Sequence, residues 1–531
     1  MSTALDVLAA PARTRSWSLP LERAMPWIAG AIVLAVGIAL VDALPVGVVH
    51  DDGMYVVLAK SLATGQGYRW IHVPGAPAAT HYPPGYPALL ALLWLAYPVF
   101  PANVILFKVA NACLAAVAAA AWVIFARERF AMSSVGAGAL SIISILSIPM
   151  LTLSVMVMSE PFFIALVIPI LLYAERSIDE EAPRRRDIVL LGIAAGVATL
   201  VRTHGIALIA ALPLILVVRR RRIVDAALFA AIALAVILPW QLWAAANATS
   251  VPAPMSGNYG SYGAWLASGL RTEGLGLLWR TAQRTSVELV AMFATLGAPG
   301  LPALPRLIAL GALAMLAIIG ARTFARQAPV SAVFLVLYAG IVIVWPFTPA
   351  RFAWCMWPLV LLVPVLGARE IVRWRPSTLT WRAARAGALS LTIALAAGHA
   401  LYTVRGYRGH WWASIPRAGA SNLRPLVFWA AQRTAPTDVL AVEAESAVYL
   451  YTGRRTLPVH TFTVQQYFHP RTAQQDADAI SGVLANYHVD AVAVTTQTVR
   501  DAAGLLASRT PPLLTPSDSF PGGIVLTPTH R

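Results

Sequence analysis

Long apolar runs separated by short arginine-rich clusters constrain this chain more than any other feature of its sequence. A helix needs roughly 20 largely apolar residues to cross a bilayer. Runs of that kind recur through the first 400 of its 531 residues. Hydrophobic residues make up 58% of the sequence and charged residues only 12%, so a soluble globular fold is excluded. The formal charge of +16 would suggest nucleic acid in a soluble chain. Here it reads as membrane topology, and no nucleic-acid motif is present. Cys113 and Cys355 both fall in apolar runs. They supply neither a disulfide framework nor a Cys-based metal site.

About eleven spans are expected, near residues 26–46, 102–125, 133–151, 157–174, 188–201, 204–218, 223–246, 302–320, 329–347, 352–368 and 386–404. The first reads as an uncleaved span, because no small-residue cleavage site follows it. Arginine asymmetry sets the orientation. With the N-terminus cytoplasmic, the inner segments hold 20 Arg, including Arg13, Arg15, Arg23 and the run Arg219–Arg222, against 9 Lys and Arg elsewhere before residue 405. The segment 188–218 also fits a single hairpin with its tip at Arg202–Gly205. GYPALLALLWLAYP (85–98) is too short to cross and is bounded by prolines, so it reads as a surface or half-inserted helix.

Two domains are expected. Residues 1–404 form a transmembrane domain whose first outer loop is 47–101. Residues 405–531 alternate strand-like and helical pieces (VLAVEA, SAVYLYTG, TLPVH, DADAISGVLANY, DAVAVTT, GIVLTP), which predicts an extracytoplasmic α/β domain. The fold class is therefore mainly α, a polytopic helix bundle with a small C-terminal α/β unit.

The inner loops lack a Gly-rich phosphate cradle, which argues against a cytoplasmic nucleotide site. Polar residues with chemical potential gather on the outer side: 47–84, Ser159–Glu160, Arg202–His204, the 247–285 loop and Arg351. An enzyme working there needs an activated substrate that arrives through the membrane, and a lipid-linked one fits.

Directly after the first span stand Asp51 and Asp52, opening the helix DGMYVVLAKSLATGQGY, with HYPPGYP following at 81–87. With MSEPFF (158–163), VRTHG (201–205) and PARFAWCMWPLVLLVP (349–364), these segments resemble the GT-C glycosyltransferases. The likeness is to the protein O-mannosyltransferase and lipid A aminoarabinose transferase superfamily, over roughly residues 26–370. That family commonly has Asp-Glu at the acidic pair, so Asp52 is a departure, and either Asp51 or Asp52 can be the catalytic carboxylate.

The resemblance implies a cell-membrane enzyme that moves a sugar from a polyprenyl-phosphate donor to a lipid, glycan or protein acceptor on the outer face. The chemistry agrees with the residue types. A polyprenyl phosphate leaves without a general acid, so inversion needs one carboxylate to take the acceptor's proton and one cation to hold the phosphate. Arg351, at the outer end of a span, is the preferred cation and Arg202 the alternative. Glu160, His204, Lys60, His81, Tyr82 and Tyr86 complete the candidate substrate-binding set. No cofactor or obligatory metal is expected, since two adjacent aspartates without a third ligand are a weak divalent-cation site.

Each of these residues also has a plain structural role open to it. Asp51 or Asp52 can cap the helix, Glu160 can serve a helix N-terminus, and Arg351 can snorkel to lipid headgroups. Arg202 and His204 can hold a turn, Lys60 can face solvent, and the aromatic residues of 81–86 can sit in the interfacial belt. A transporter or flippase for a lipid-linked saccharide is the alternative function, as is an inactive glycan-binding scaffold. Transporters favour paired halves and broken helices at the midplane, and neither is evident in this sequence.

Overall fold

The computed structural model describes residues 18–180 and 183–529. Arg13 and Arg15, used above for orientation, lie outside the described residues. Every expected span contains a helix. Among the described residues seven helices are long and apolar enough to cross a membrane: Leu21–Ala39, Asn103–Phe130, Glu160–Asp179, Thr203–Arg220, Ile223–Ala246, Ala303–Gln327 and Leu379–Arg408. An eighth is obtained if Ser134–Ile145 and Ile148–Val155, bent by 62° at their break, count as one span. The expected count of about eleven is therefore not reproduced. The helices Arg185–Val201, Pro329–Val344 and Trp357–Arg373 have 17, 16 and 17 residues. At 1.5 Å per residue they reach only about 25 Å, short of a hydrocarbon core of about 30 Å. The chain is a multi-pass membrane protein.

The bend has a local cause. The Ser144 hydroxyl bonds back to the Ser141 carbonyl (3.0 Å) and the Ser147 hydroxyl to the Ser144 carbonyl (2.7 Å), while Pro149 opens the next helix. Such side-chain bonds compete with the helical ladder. Elsewhere the helices approach through small residues. A Cβ on Gly320 would collide with the Val363 carbonyl, and one on Gly367 with the Leu316 carbonyl, so the Ala303–Gln327 and Trp357–Arg373 helices meet backbone to backbone.

In the first loop the helix Asp51–Ala63 is enclosed, with Met54 to Ala59 all buried. The helix Gly85–Ala96 is short, as the prolines around it predict, and exposes Leu92 and Leu95. The 247–285 segment, read above as a loop, is largely helical: Tyr262–Glu273 is separated from Gly276–Gly297 by Gly274 at φ +62. Arginines and threonines interleaved with its apolar residues hide those helices from a hydropathy ruler.

The C-terminal unit holds a five-stranded sheet of β1 (Val439–Val442), β2 (Arg455–Pro458), β3 (Ala491–Val494), β4 (Leu514–Phe520) and β5 (Gly523–Pro528), in the order β2-β1-β3-β5-β4. β1 pairs in parallel with β2 and β3, and β5 runs antiparallel to β3 and β4. The parallel strands VLAV and AVAV are short and almost wholly buried, as strands covered on both faces must be. The sequence reading identified every strand except β4, whose solvent-facing LTPSDSF is too polar to stand out. The unit docks directly on the first loop. Thr456 N–H donates to the His72 carbonyl (2.8 Å), Val46 N–H to the Tyr451 hydroxyl (3.1 Å), and Gly47 and Gly53 lie against Ala447 and Ser446.

Candidate active site

The two adjacent aspartates separate because successive residues on a helix point about 100° apart. Asp52 turns inward, is 2% exposed, and accepts the backbone N–H groups of Gly47 (2.9 Å) and Val49 (3.1 Å). It ties down the loop that leads into its helix. Asp51 faces a cavity of about 360 Å³. One of its oxygens accepts the Tyr82 hydroxyl (2.5 Å), and the other meets Arg351 Nη1 at 2.5 Å.

Arg351 comes from the PARFAW segment, where Pro349 precedes the short helix Ala350–Cys355. Its guanidinium spans two acids, Asp51 and Glu160, the latter contacted through Nε. Glu160 is fully buried at the start of its helix, and its Oε1 also meets Arg202 Nη1 at 2.8 Å. Arg202 donates to the Ser159 hydroxyl (2.8 Å), which lies 3.3 Å from the Tyr55 hydroxyl. Two guanidinium groups and two carboxylates thus form one neutral network beneath the cavity. Burial of this kind costs little only when each charge is matched.

Burial pushes the Asp51 carboxyl up. The charge of Arg351, the nearby His50 and the Tyr82 hydroxyl outweigh it and hold the group at about 2. Burial lowers His81 to about 4, against the opposing pull of its 2.6 Å bond to the Gly260 carbonyl, so a neutral ring donates there through Nδ1. Aromatic walls close the site. His81 packs on Tyr262 at 4.0 Å between ring centres, His204 on Phe352 at 4.8 Å, and Tyr262 meets Trp345 edge-on.

Seven of the ten candidate residues therefore meet at or directly beneath this cavity: Asp51, His81, Tyr82, Arg202, His204 and Arg351 line it, and Glu160 supports it. Three do not. Asp52 serves the preceding loop. Tyr86 is buried, with its hydroxyl on Asn111 (3.1 Å). Lys60 lies over the Tyr449 ring, 4.6 Å from its centre, on the C-terminal unit. His50, Tyr55, Tyr262, Trp345 and Phe352 also line the cavity and were not singled out in the sequence. His50 is the most readable omission, since it directly precedes the acidic pair. Its backbone is left-handed, φ 63.

Among the described residues no group of three or more His, Cys, Asp or Glu side chains is placed to hold a metal ion. Asp51 and Glu160 are each held by a guanidinium.

No family model and no curated protein sequence matches the chain. Solved structures do. ArnT from Cupriavidus metallidurans bound to undecaprenyl phosphate superposes over 95% of this chain and 97% of its own, with TM-score 0.53 at 14% identity. The chain has a GT-C fold. The apo ArnT structure from the same organism agrees, at TM-score 0.52, 15% identity and coverage of 95% and 98%. The archaeal oligosaccharyltransferase AglB from Archaeoglobus fulgidus, in complex with an inhibitory peptide and a dolichol-phosphate, gives TM-score 0.54 at 11% identity over 96% of this chain and 75% of that one. The fold expected from the acidic pair and the later motifs is thus the fold observed, and at these identities the likeness speaks for the GT-C fold alone.

Proposed function

We propose that the protein is a membrane glycosyltransferase that moves a sugar from a polyprenyl-phosphate donor to an acceptor hydroxyl. The cavity over Asp51 is taken to open on the outer side of the cell membrane, with the N-terminus cytoplasmic and the C-terminal unit outside. The single observation that carries the reading is the Asp51–Arg351 ion pair on the cavity wall. It supports the reading because a carboxylate able to act as base and a guanidinium able to hold phosphate are in one contact.

The pair also suggests an order of events. While Arg351 neutralises it, Asp51 is a weak base. The donor phosphate competes for the same guanidinium, and Arg351 then binds it with charge-assisted bonds. Released from its partner, Asp51 regains basicity at the moment a substrate is present. It takes the proton of the acceptor hydroxyl, the oxygen attacks the anomeric carbon from the opposite face, and the bond from that carbon to the phosphate oxygen breaks. Polyprenyl phosphate leaves as an anion on Arg351, with Arg202 and Glu160 fixing the position of that side chain. The tyrosines and His81 flank the sugar. Support comes from the fold shared with ArnT bound to undecaprenyl phosphate and with AglB bound to a dolichol-phosphate.

The test offers purified protein a panel of radiolabelled polyprenyl-phosphate sugars with membrane extract and follows which label moves. Transfer that survives undiminished in Asp51→Asn would falsify the assignment of the base.

A further inference from the structure

The cavity over Asp51 shares part of its wall with a neighbouring space. Gly257, Trp265 and Phe462 also line a second hollow of about 320 Å³, between the 253–272 segment and the loop 461–465 of the C-terminal unit. Pro254, Thr461 and Thr463 carry the seam on into a third hollow of about 300 Å³. The three spaces share walls and lie side by side, so together they form a seam that runs from Asp51 along the junction with the C-terminal unit.

The lining chemistry is selective. The second hollow has no charged side chain. Its hydroxyls divide into two groups. Ser256 bonds the Ala253 carbonyl, Ser261 caps its own helix, and Thr272 bonds the Ser268 carbonyl. The Ser268, Thr461 and Thr463 hydroxyls make no hydrogen bond among the described residues; all three residues line the hollow, with the Thr461 hydroxyl packed against Gly257. Trp265 forms the wall between the first and second hollows. It is fixed by Phe347, stacked at 5.2 Å, and by an indole N–H bond to the Phe462 carbonyl (3.3 Å). The two sides approach closely, because a Cβ on Gly257 would meet the Phe462 carbonyl and one on Gly269 the Val464 side chain. Uncharged hydroxyls beside a rigid aromatic face suit a polyhydroxylated neutral ligand. A phosphorylated or sulfated acceptor would need cations. Arg202 and Arg351 of the first cavity are paired with Glu160 and Asp51, the second hollow has none, and Arg471 of the third is already bonded to Asp476. An extended peptide would pair with a free strand edge, and no strand lines the seam.

We propose that this seam binds the acceptor, and that the acceptor is a neutral carbohydrate chain whose terminal hydroxyl reaches Asp51. The inference rests on the transfer reaction proposed above and names its second substrate.

Photo-crosslinking on the full-length protein in lipid nanodiscs tests it without requiring turnover. The probes are linear neutral hexose and pentose oligosaccharides carrying a diazirine, a sulfated oligosaccharide, and a peptide of equal length. The neutral probes are expected to label peptides containing 256–272 and 461–466. Ser268→Trp, which fills the second hollow, is expected to lower that labelling about tenfold with the melting temperature unchanged. Should that variant fold poorly, Thr463→Ala replaces it, with an expected drop of about threefold for one lost hydrogen bond. Asp51→Asn is expected to retain labelling while transfer falls by at least about a hundredfold. Labelling intact in the absence of any transferase activity therefore sinks the enzymatic reading and leaves the binding seam standing. The inference is overturned if no neutral probe labels the seam, if the sulfated or peptide probe labels it more strongly, or if the folded variants label like the parent.

Discussion

Asp51 and Asp52 are chemically identical, and their surroundings give them different tasks. Asp51→Asn is expected to reduce transfer by about 10²- to 10⁴-fold with donor binding retained, measured as kcat against KM for the labelled donor. Asp52→Ala removes the acceptor of two backbone N–H groups. It should cost about 1–3 kcal/mol and lower the melting temperature, since those groups would be left unsatisfied. The ion pair also makes a pH prediction. The Asp51 carboxyl is held at about 2 when folded, against an ordinary 3.8. A depressed carboxylate stabilises the fold fully above its unfolded value and loses that contribution as pH falls through the folded one. The gap is worth ~2 kcal/mol, to be lost between about pH 4 and pH 2. Acid unfolding of Asp51→Asn in the same detergent should lack that portion of the dependence. Arg351→Lys keeps a charge but cannot bridge both Asp51 and Glu160 with a planar fork, so the donor KM should rise.

Elements meet here by close backbone approach and by a few buried polar anchors. Lys108 is 3% exposed and holds the end of the first span through the Asp42 carboxylate (2.7 Å), the Asp42 carbonyl (3.1 Å) and the Leu44 carbonyl (3.0 Å). Lys108→Met removes a buried partner and should destabilise by about 3 kcal/mol, read as a fall in detergent melting temperature. Gly367→Leu should separate the Trp357–Arg373 helix from Ala303–Gln327, and cross-linking between introduced cysteines would report the loss. The positions of these helices were legible in the sequence because apolar runs are a local signal. Their exact lengths were not, since hydropathy does not mark where a backbone ladder ends, and three runs counted as spans stop at 16 or 17 residues. The helix Gly276–Gly297 escaped notice for the opposite reason, its apolar face being interrupted by polar residues.

At the scale of the whole molecule, the C-terminal unit closes on the first loop next to Asp51. Gly53 lies so close to Ser446 that a side chain there has no room. Gly53→Val should displace the unit and reduce transfer while the helix bundle stays folded, a combination that protease sensitivity and helical circular dichroism together would detect. Phe462, from the same unit, lines the cavity, and the buried Glu445 accepts the Tyr259 hydroxyl at 3.2 Å and lies 3.8 Å from the His50 ring. The site is thus assembled from the first loop, the starts of two spans, the segment before the helix Trp357–Arg373 and the sheet-bearing unit. The sequence by itself determined that the chain enters a membrane, where its apolar helices run, and that an acidic pair opens the loop after the first of them, because hydrophobic period and charge placement are local properties. Only the tertiary structure decided which aspartate faces the cavity and that Arg351, 300 residues away, closes on it. A helix turns adjacent side chains apart, and distant residues are brought together by packing that no local pattern encodes.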